Sequence, residues 1–259
     1  MLRTRVIPCL QLLDESLVKT VKFGNPDYIG DPINTVRIFN ELEVDELCFL
    51  DIRATSQNRQ PNFKILTEIA NECFMPLSYG GGITNADTAK KILSIGFEKI
   101  VINTAAFNNI KLVTEIANYS GNQSVVGSID IKKNIFGKYQ VYTNDGATKQ
   151  AKDPIHWAQE LENLGAGELL VTSIDRDGTW KGYDLEILKR ITSAVNIPVI
   201  ANGGAGSMQH IGEVVSEFNV SAVALGSMVV YQQKGFGVLV NFPDREKLNQ
   251  VLNSSYKSE

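Results

Sequence analysis

Two histidines and three cysteines in 259 residues leave this chain poorly supplied for metal or redox chemistry. Cys9, Cys48 and Cys73 sit inside apolar segments with no paired spacing, which predicts buried thiols. His156 and His210 fall in segments of helical periodicity with no second ligand nearby, so the sequence implies no metal site and no cofactor. Cationic residues are also in short supply: 25 Lys and Arg against 29 Asp and Glu give a net charge of −4. They are scattered, which argues against a nucleic-acid surface. No apolar run approaches ~18 residues, and no leader pattern with a cleavage site precedes Asp14 and Glu15, so a cytoplasmic protein without a membrane partner is expected. A Pro/Ser-rich linker is missing too, and residues 1–259 are expected to form one domain.

What the chain does have is a repeat. PLSYGGG at 76–82 and PVIANGGAG at 198–206 begin 122 residues apart, and VDELCFLDIRATS from Val44 and AGELLVTSIDRDG from Ala166 share that offset. Short apolar runs alternate throughout with amphipathic segments. Strands are expected at 5–12, 46–51, 75–79, 99–103, 125–131, 168–173, 198–201 and 222–226. Most are continuously apolar, as strands covered on both faces are. Helices are expected at 32–43, 63–73, 86–95, 110–119, 154–164, 185–194, 208–217 and 244–252. Asp31-Pro32 and Asp153-Pro154 read as an N-cap followed by proline at the first helical position, and Gly96 and Gly165 as C-terminal stops. Eight strands alternating with eight helices predict an α/β fold, a (β/α)8 TIM barrel with a twofold half-barrel repeat. A doubly wound open sheet is the alternative. Two connections exceed a turn: 13–30, whose length and glycines suit a mobile lid, and 132–150, expected to form a hairpin around Phe136-Gly137.

In such barrels chemistry gathers at the C-terminal strand ends. Glycines there let backbone N–H groups approach an anion. Gly81 and Gly82 with Asn103 and Thr104 would form one phosphate site, and Gly178, Gly203, Gly204, Gly226 and Ser227 the other. A lone glycine pair can equally be a tight βα turn; two pairs in register favour a ligand with a phosphate at each end.

RVIPCL, VDELCFLDI, GGGI, INTAA, AGELLVTSIDRDGT, GYDLE and NIPVIANGGAG together resemble the HisF family, the cyclase subunit of imidazole glycerol phosphate synthase. The resemblance covers nearly the whole chain. It implies a barrel that receives ammonia from a HisH-like glutaminase subunit; the ammonia attacks a bisphosphorylated ribosylamino substrate, which is cleaved and closed to imidazole glycerol phosphate and an aminoimidazole carboxamide ribotide. It implies a substrate-binding set that adds Lys19, Asp51 and Thr172 to the residues above. It implies an ammonia gate of alternating charges in Arg5, Glu46, Lys99 and Glu168.

Two aspartates on strands one and five serve the family as general acid and base. Asp130 matches the second. The first maps onto IPCLQL, where this chain carries Gln11. An amide cannot take the proton that a carboxylate can, and losing a general acid or base costs ~10²–10⁴-fold. Asp177 offers a carboxylate only from another strand. Three readings follow. In the first, a HisF-like synthase subunit has diverged toward amidination of an acetamido sugar in surface-polysaccharide synthesis, acting directly or supplying ammonia to a separate amidating enzyme. In the second, the chain is a working cyclase of histidine biosynthesis. In the third, it is a non-catalytic activator of a glutaminase.

Overall fold

The structure, a computed structural model, describes residues 4–218 and 220–255. Eight parallel strands close on themselves: β1 (Arg5–Leu13), β2 (Leu47–Asp51), β3 (Leu77–Gly80), β4 (Lys99–Ile102), β5 (Val125–Lys133), β6 (Glu168–Ser173), β7 (Val199–Asn202) and β8 (Ala222–Leu225). Each pairs with the next, and β8 returns to β1 with Arg5 opposite Ala222. The helices between them are α1 (Pro32–Glu41), α2 (Phe63–Glu72), α3 (Ala86–Ile95), α4 (Lys111–Ser120), α5 (Pro154–Asn163), α6 (Leu185–Thr192), α7 (Met208–Phe218) and α8 (Arg245–Ser255). This is the (β/α)8 barrel that the alternation predicts. The repeat survives in three dimensions. The strand starts of the second half follow those of the first by 120, 121, 122 and 123 residues (Arg5 to Val125, Leu47 to Glu168, Leu77 to Val199, Lys99 to Ala222).

Local chemistry places the helix ends where the sequence signals them. The Asp31 carboxylate accepts the Asn34 N–H at 2.8 Å ahead of Pro32, and Asp153 accepts the Ile155 N–H at 2.9 Å ahead of Pro154. β3 begins later than expected, at Leu77. Pro76 has no N–H for the ladder, although its carbonyl still accepts from Leu47. Two short helices, Thr104–Asn108 and Ser227–Val230, follow β4 and β8 and were not anticipated. At four and five residues they carry no readable periodicity.

Alternation of side chains along the strands sorts the molecule into two cores. One set of residues, among them Val6, Phe49, Tyr79, Ile100, Ile129, Val171 and Leu225, packs outward against the helices. The alternate set faces the barrel axis: Ile7 and Cys9, Cys48, Val101, Val126, Leu170, Ile200, and Ala222 and Ala224. Along β1 the inward positions read Arg5, Ile7, Cys9, Gln11, a period of two from the N-terminal rim to the opposite mouth.

Segment 13–30 is folded rather than open loop. Ser16–Lys19 turns back antiparallel onto β1, with Gln11 opposite Val18, and Asp27–Gly30 pairs against it in turn. After β5, Tyr139–Thr143 forms the expected hairpin, with Asp130 opposite Tyr142, and Thr148–Lys149 adds a third short strand.

Candidate functional site

The inward residues build a layered axis. At its N-terminal end Arg5 donates to Glu46 and to Glu168, each at 2.6 Å, and Lys99 lies 3.0 Å from Glu46 and 3.1 Å from Glu168. The four side chains thus form a closed ring of alternating charge, three from β1, β4 and β6 and Glu46 from the residue just before β2. Although burial works against the Arg5 cation, the two carboxylates beside it outweigh that and raise its pKa. Above the ring lies a narrow space, with room for about one water-sized molecule, lined by Glu46 of the ring and by Ile7, Cys48, Ser78, Val101, Leu170 and Ala224. Above that, Val101 also lines the floor of a much larger cavity, about 1080 Å³ including its opening to solvent, at the C-terminal strand ends.

Asp130 stands in this upper cavity. It accepts the Asn103 amide at 2.7 Å and a bond from Thr172, its register neighbour on β6. Burial dominates these favourable contacts, and neighbouring Asp145 and Asp177 add repulsion, so the carboxyl is pushed up to about 7. A group titrating there both donates and accepts protons at neutral pH. Across the cavity, Gln11 accepts the Thr20 backbone N–H at 2.8 Å. Lys19, one residue before, holds Asp177 at 2.9 and 3.2 Å and also reaches the Thr20 carbonyl. The Lys22 N–H donates to the Asp177 carbonyl at 3.0 Å. These bonds fasten segment 16–22 across the mouth.

A family model described as "Histidine biosynthesis protein" matches residues 5–235. The chain belongs to that family. A relative from Pseudomonas aeruginosa, provisionally named imidazole glycerol phosphate synthase subunit hisF2, is 51% identical over 249 residues, covering 96% of this chain and 99% of its own. One from Vibrio vulnificus, provisionally named subunit hisF3, is 42% identical over 253 residues, 97% of each. Imidazole glycerol phosphate synthase subunit HisF of Alkaliphilus metalliredigens is 40% identical over 233 residues, 90% of this chain and 92% of that one. The barrel is therefore of HisF type.

The HisF-type cavity brings together Gln11, Lys19, Asp51, Gly81, Gly82, Asn103, Thr104, Asp130, Thr172, Asp177 and Gly226. Gly178, Gly203, Gly204 and Ser227 stand outside its lining. Gly178 is covered by Thr20 and Val21, and the Lys19 chain lies against Gly226. Asp51 spends its carboxylate on the Ala54 and Arg53 N–H groups, at 2.9 and 3.2 Å, and on Arg59. The paired glycines have a local reason to exist. At φ +120°, a Cβ on Gly81 would fall 2.5 Å from the Asp51 carbonyl, and at φ +90° one on Gly203 would fall 2.8 Å from Ser173, the equivalent residue of the other half. Each glycine lets its βα turn press onto the preceding strand.

Sequence reasoning missed Asp145, Arg53, Phe23, Ser128 and Asn202, all of which line the cavity. Asn144-Asp145-Gly146 reads as a turn, and it is one, with positive φ at all three. Nothing in the tripeptide says that the turn overhangs the site. Ser128 and Asn202 carry a recoverable signal, as the polar members of the inward alternation on β5 and β7.

Proposed function

We propose that this chain is the ammonia-accepting synthase subunit of a glutamine amidotransferase pair, acting on a phosphorylated substrate in the upper cavity. The observation that carries the reading is the interior axis. A charge ring, an apolar chamber and a chamber holding a carboxyl that titrates near 7 follow one another along the barrel. Ammonia from a HisH-like glutaminase docked at the Arg5 end would pass the ring, cross a compartment lined mostly by apolar side chains that keep it uncharged, and meet its acceptor beside Asp130. Gln11 separates this barrel from imidazole ring closure, which needs two carboxylates. The favoured acceptor is the acetamido group of a phosphorylated sugar derivative, where ammonia replaces the amide oxygen and water leaves. That step proceeds in this cavity or in a separate amidating enzyme that the barrel supplies. Lys19 and Gly226, which share the cavity lining, suit the phosphate.

A second reading, a cyclase of histidine biosynthesis, is favoured by Asp130 itself, whose pKa near 7 fits one carboxyl for serving as acid and base in turn. Incubating the protein with the imidazole precursor and excess ammonium separates the two. The amidination reading expects no imidazole product from the natural sequence; turnover at a rate typical of synthases would establish the cyclase.

A further inference from the structure

Two cationic residues line the upper cavity, Lys19 and Arg53. Lys19 is committed: it holds the Asp177 carboxylate and reaches the Thr20 carbonyl. Arg53 is not. Its guanidinium has no hydrogen bond and no ion pair among the described residues. Asp145 is near enough for its carboxylate to be favoured by the Arg53 charge, yet that carboxylate bonds to the Ser56 hydroxyl rather than to the guanidinium. Arg59, the other arginine of this connection, is spent on Asp51 and Asp14. An arginine presents five N–H donors in a planar fork that matches an oxyanion. At the lining of this cavity, Arg53 alone keeps that fork uncommitted.

The fold itself does not ask for a cation at this position. The Arg53 main chain is fixed without its side chain: its N–H donates to Asp51 at 3.2 Å, and its carbonyl accepts the Gln57 N–H at 3.0 Å. Under the 122-residue offset its counterpart is an acid, Asp175, whose carboxylate accepts the Lys133 N–H at 2.8 Å. What surrounds Arg53 does suit a ligand. The glycine turn after β3 presses onto its neighbours: a Cβ on Gly81 would fall 2.5 Å from the Asp51 carbonyl, and one on Gly82 would fall 3.1 Å from Ala54. Thr104, on the next strand end, accepts the Asn144 N–H at 3.1 Å, and its hydroxyl hydrogen has no acceptor among the described residues. Turn 144–146 caps the cavity on this side and carries Asp145.

We infer that Arg53 is a specificity-determining anion anchor, a guanidinium on the β2–α2 connection that takes a phosphate monoester of the ligand against the Gly81–Gly82 turn and the Thr104 hydroxyl. Asp145 is its counter-charge in the empty site. A phosphate monoester carries about −2 and three acceptor oxygens, enough to engage the fork and the hydroxyl together and to outweigh the single charge of Asp145. This rests on the synthase reading above in taking the cavity as the substrate site.

Inorganic phosphate is the probe, titrated into the full chain while the Gly81, Gly82, Thr104 and Gly226 amides are followed by NMR. In the natural sequence it should shift Gly81, Gly82 and Thr104. Arg53→Gln removes the charge and the fork, and should weaken that response at least ~tenfold. Arg53→Met, similar in reach and without donors, should do the same and stands in should Gln disturb the loop. Lys138→Gln removes an exposed cation from the tip of the β5 hairpin and controls for net charge; it should change the affinity by less than about twofold. Unchanged affinity at Gly81, Gly82 and Thr104 in the Arg53 variants would overturn the anchor and leave the synthase reading standing. So would an equal loss in Lys138→Gln, an equal loss at Gly226 in the Arg53 variants, or a natural protein in which phosphate moves Gly226 alone. Silence of every one of these amides in the natural protein would remove the phosphorylated substrate itself, and the anchor with it.

Discussion

Gln11 stands where the resemblance to HisF implies a catalytic aspartate, and in the structure it bonds segment 16–22 to β1; shortening it by one methylene tests that bond. Its Oε1 sits 2.8 Å from the Thr20 nitrogen. Gln11→Asn withdraws the acceptor by about one C–C bond, ~1.5 Å, to roughly 4.3 Å, outside hydrogen-bond range. Thr20 is only 3% exposed, so its N–H loses its acceptor without gaining water. Leaving a buried donor unmet costs about 1–3 kcal/mol. If segment 16–22 opens locally, that cost appears as a roughly 5- to 150-fold rise in the opening equilibrium. Hydrogen exchange of the Thr20 amide reads it directly, with a β4 amide such as Val101 as the control for global stability. Gln11→Glu keeps the length and an acceptor oxygen, and should leave Thr20 protected within about threefold. Trypsin gives an independent reading, because cleavage after exposed Lys22 should speed up in Gln11→Asn. Unchanged Thr20 exchange in Gln11→Asn would refute the latch. A rise of equal size in Gln11→Glu would show that the amide group, rather than its reach, is what the segment needs.

Asp130→Asn should abolish turnover and alter the pH dependence of stability. The folded carboxyl titrates at about 7 against an ordinary 3.8, so the native state holds the extra proton between those values and stability falls as pH climbs through them. Denaturation midpoints of variant and natural protein should therefore agree below pH ~4, with the variant the more stable at pH ~8; equal midpoints at both would mean the carboxyl is not shifted. Lys99→Ala leaves Glu46 and Glu168 sharing Arg5 alone, and should cost up to about 3 kcal/mol in denaturant unfolding. The same variant should uncouple glutamine hydrolysis from product formation while external ammonium still works; unchanged coupling would remove the ring from the ammonia route. Gly204→Ala would drive a methyl into the Gly182 carbonyl at a positive φ, and should lower the unfolding midpoint more than Gly137→Ala, whose Cβ meets open space.

The barrel was legible because two independent periodicities in the sequence agree. Continuous apolar strands alternate with amphipathic helices, and the 122-residue offset repeats the pattern. Caps such as Asp31 and Asp153 act within three or four residues, so local sequence contains their whole explanation. The charge ring required more. Arg5, Glu46, Lys99 and Glu168 lie on or just before four different strands, and only the resemblance to HisF put them on one level. What escaped notice depends on distant partners. Ser16–Lys19 and Asp27–Gly30 are strands because β1 continues to Leu13 and offers them an edge, which no four-residue segment can announce. Asp145 faces the cavity because Asn144 is tied to Thr104, forty residues away.

That Asn144 tie belongs to a duplicated scaffold whose two mouths carry different side chains. Inward positions of the two halves correspond: Ile7 to Val126, Cys9 to Ser128, Gln11 to Asp130, Glu46 to Glu168, Lys99 to Ala222. Backbone-determined features, such as the Gly81 and Gly203 turns, are the same in both halves because the same close approach demands the same residue. The inward side chains are not. Gln11 fastens its cap where Asp130 titrates, and the ring takes Lys99 from the first half with no cation opposite at Ala222. Lys19 is held by Asp177 and by the Thr20 carbonyl, so a ligand phosphate at Gly226 must compete with that carboxylate for the cation. Lys19→Met should therefore weaken inorganic phosphate at Gly226 at least ~tenfold, read from the Gly226 amide in an NMR titration. An unchanged affinity would remove Lys19 from the ligand site.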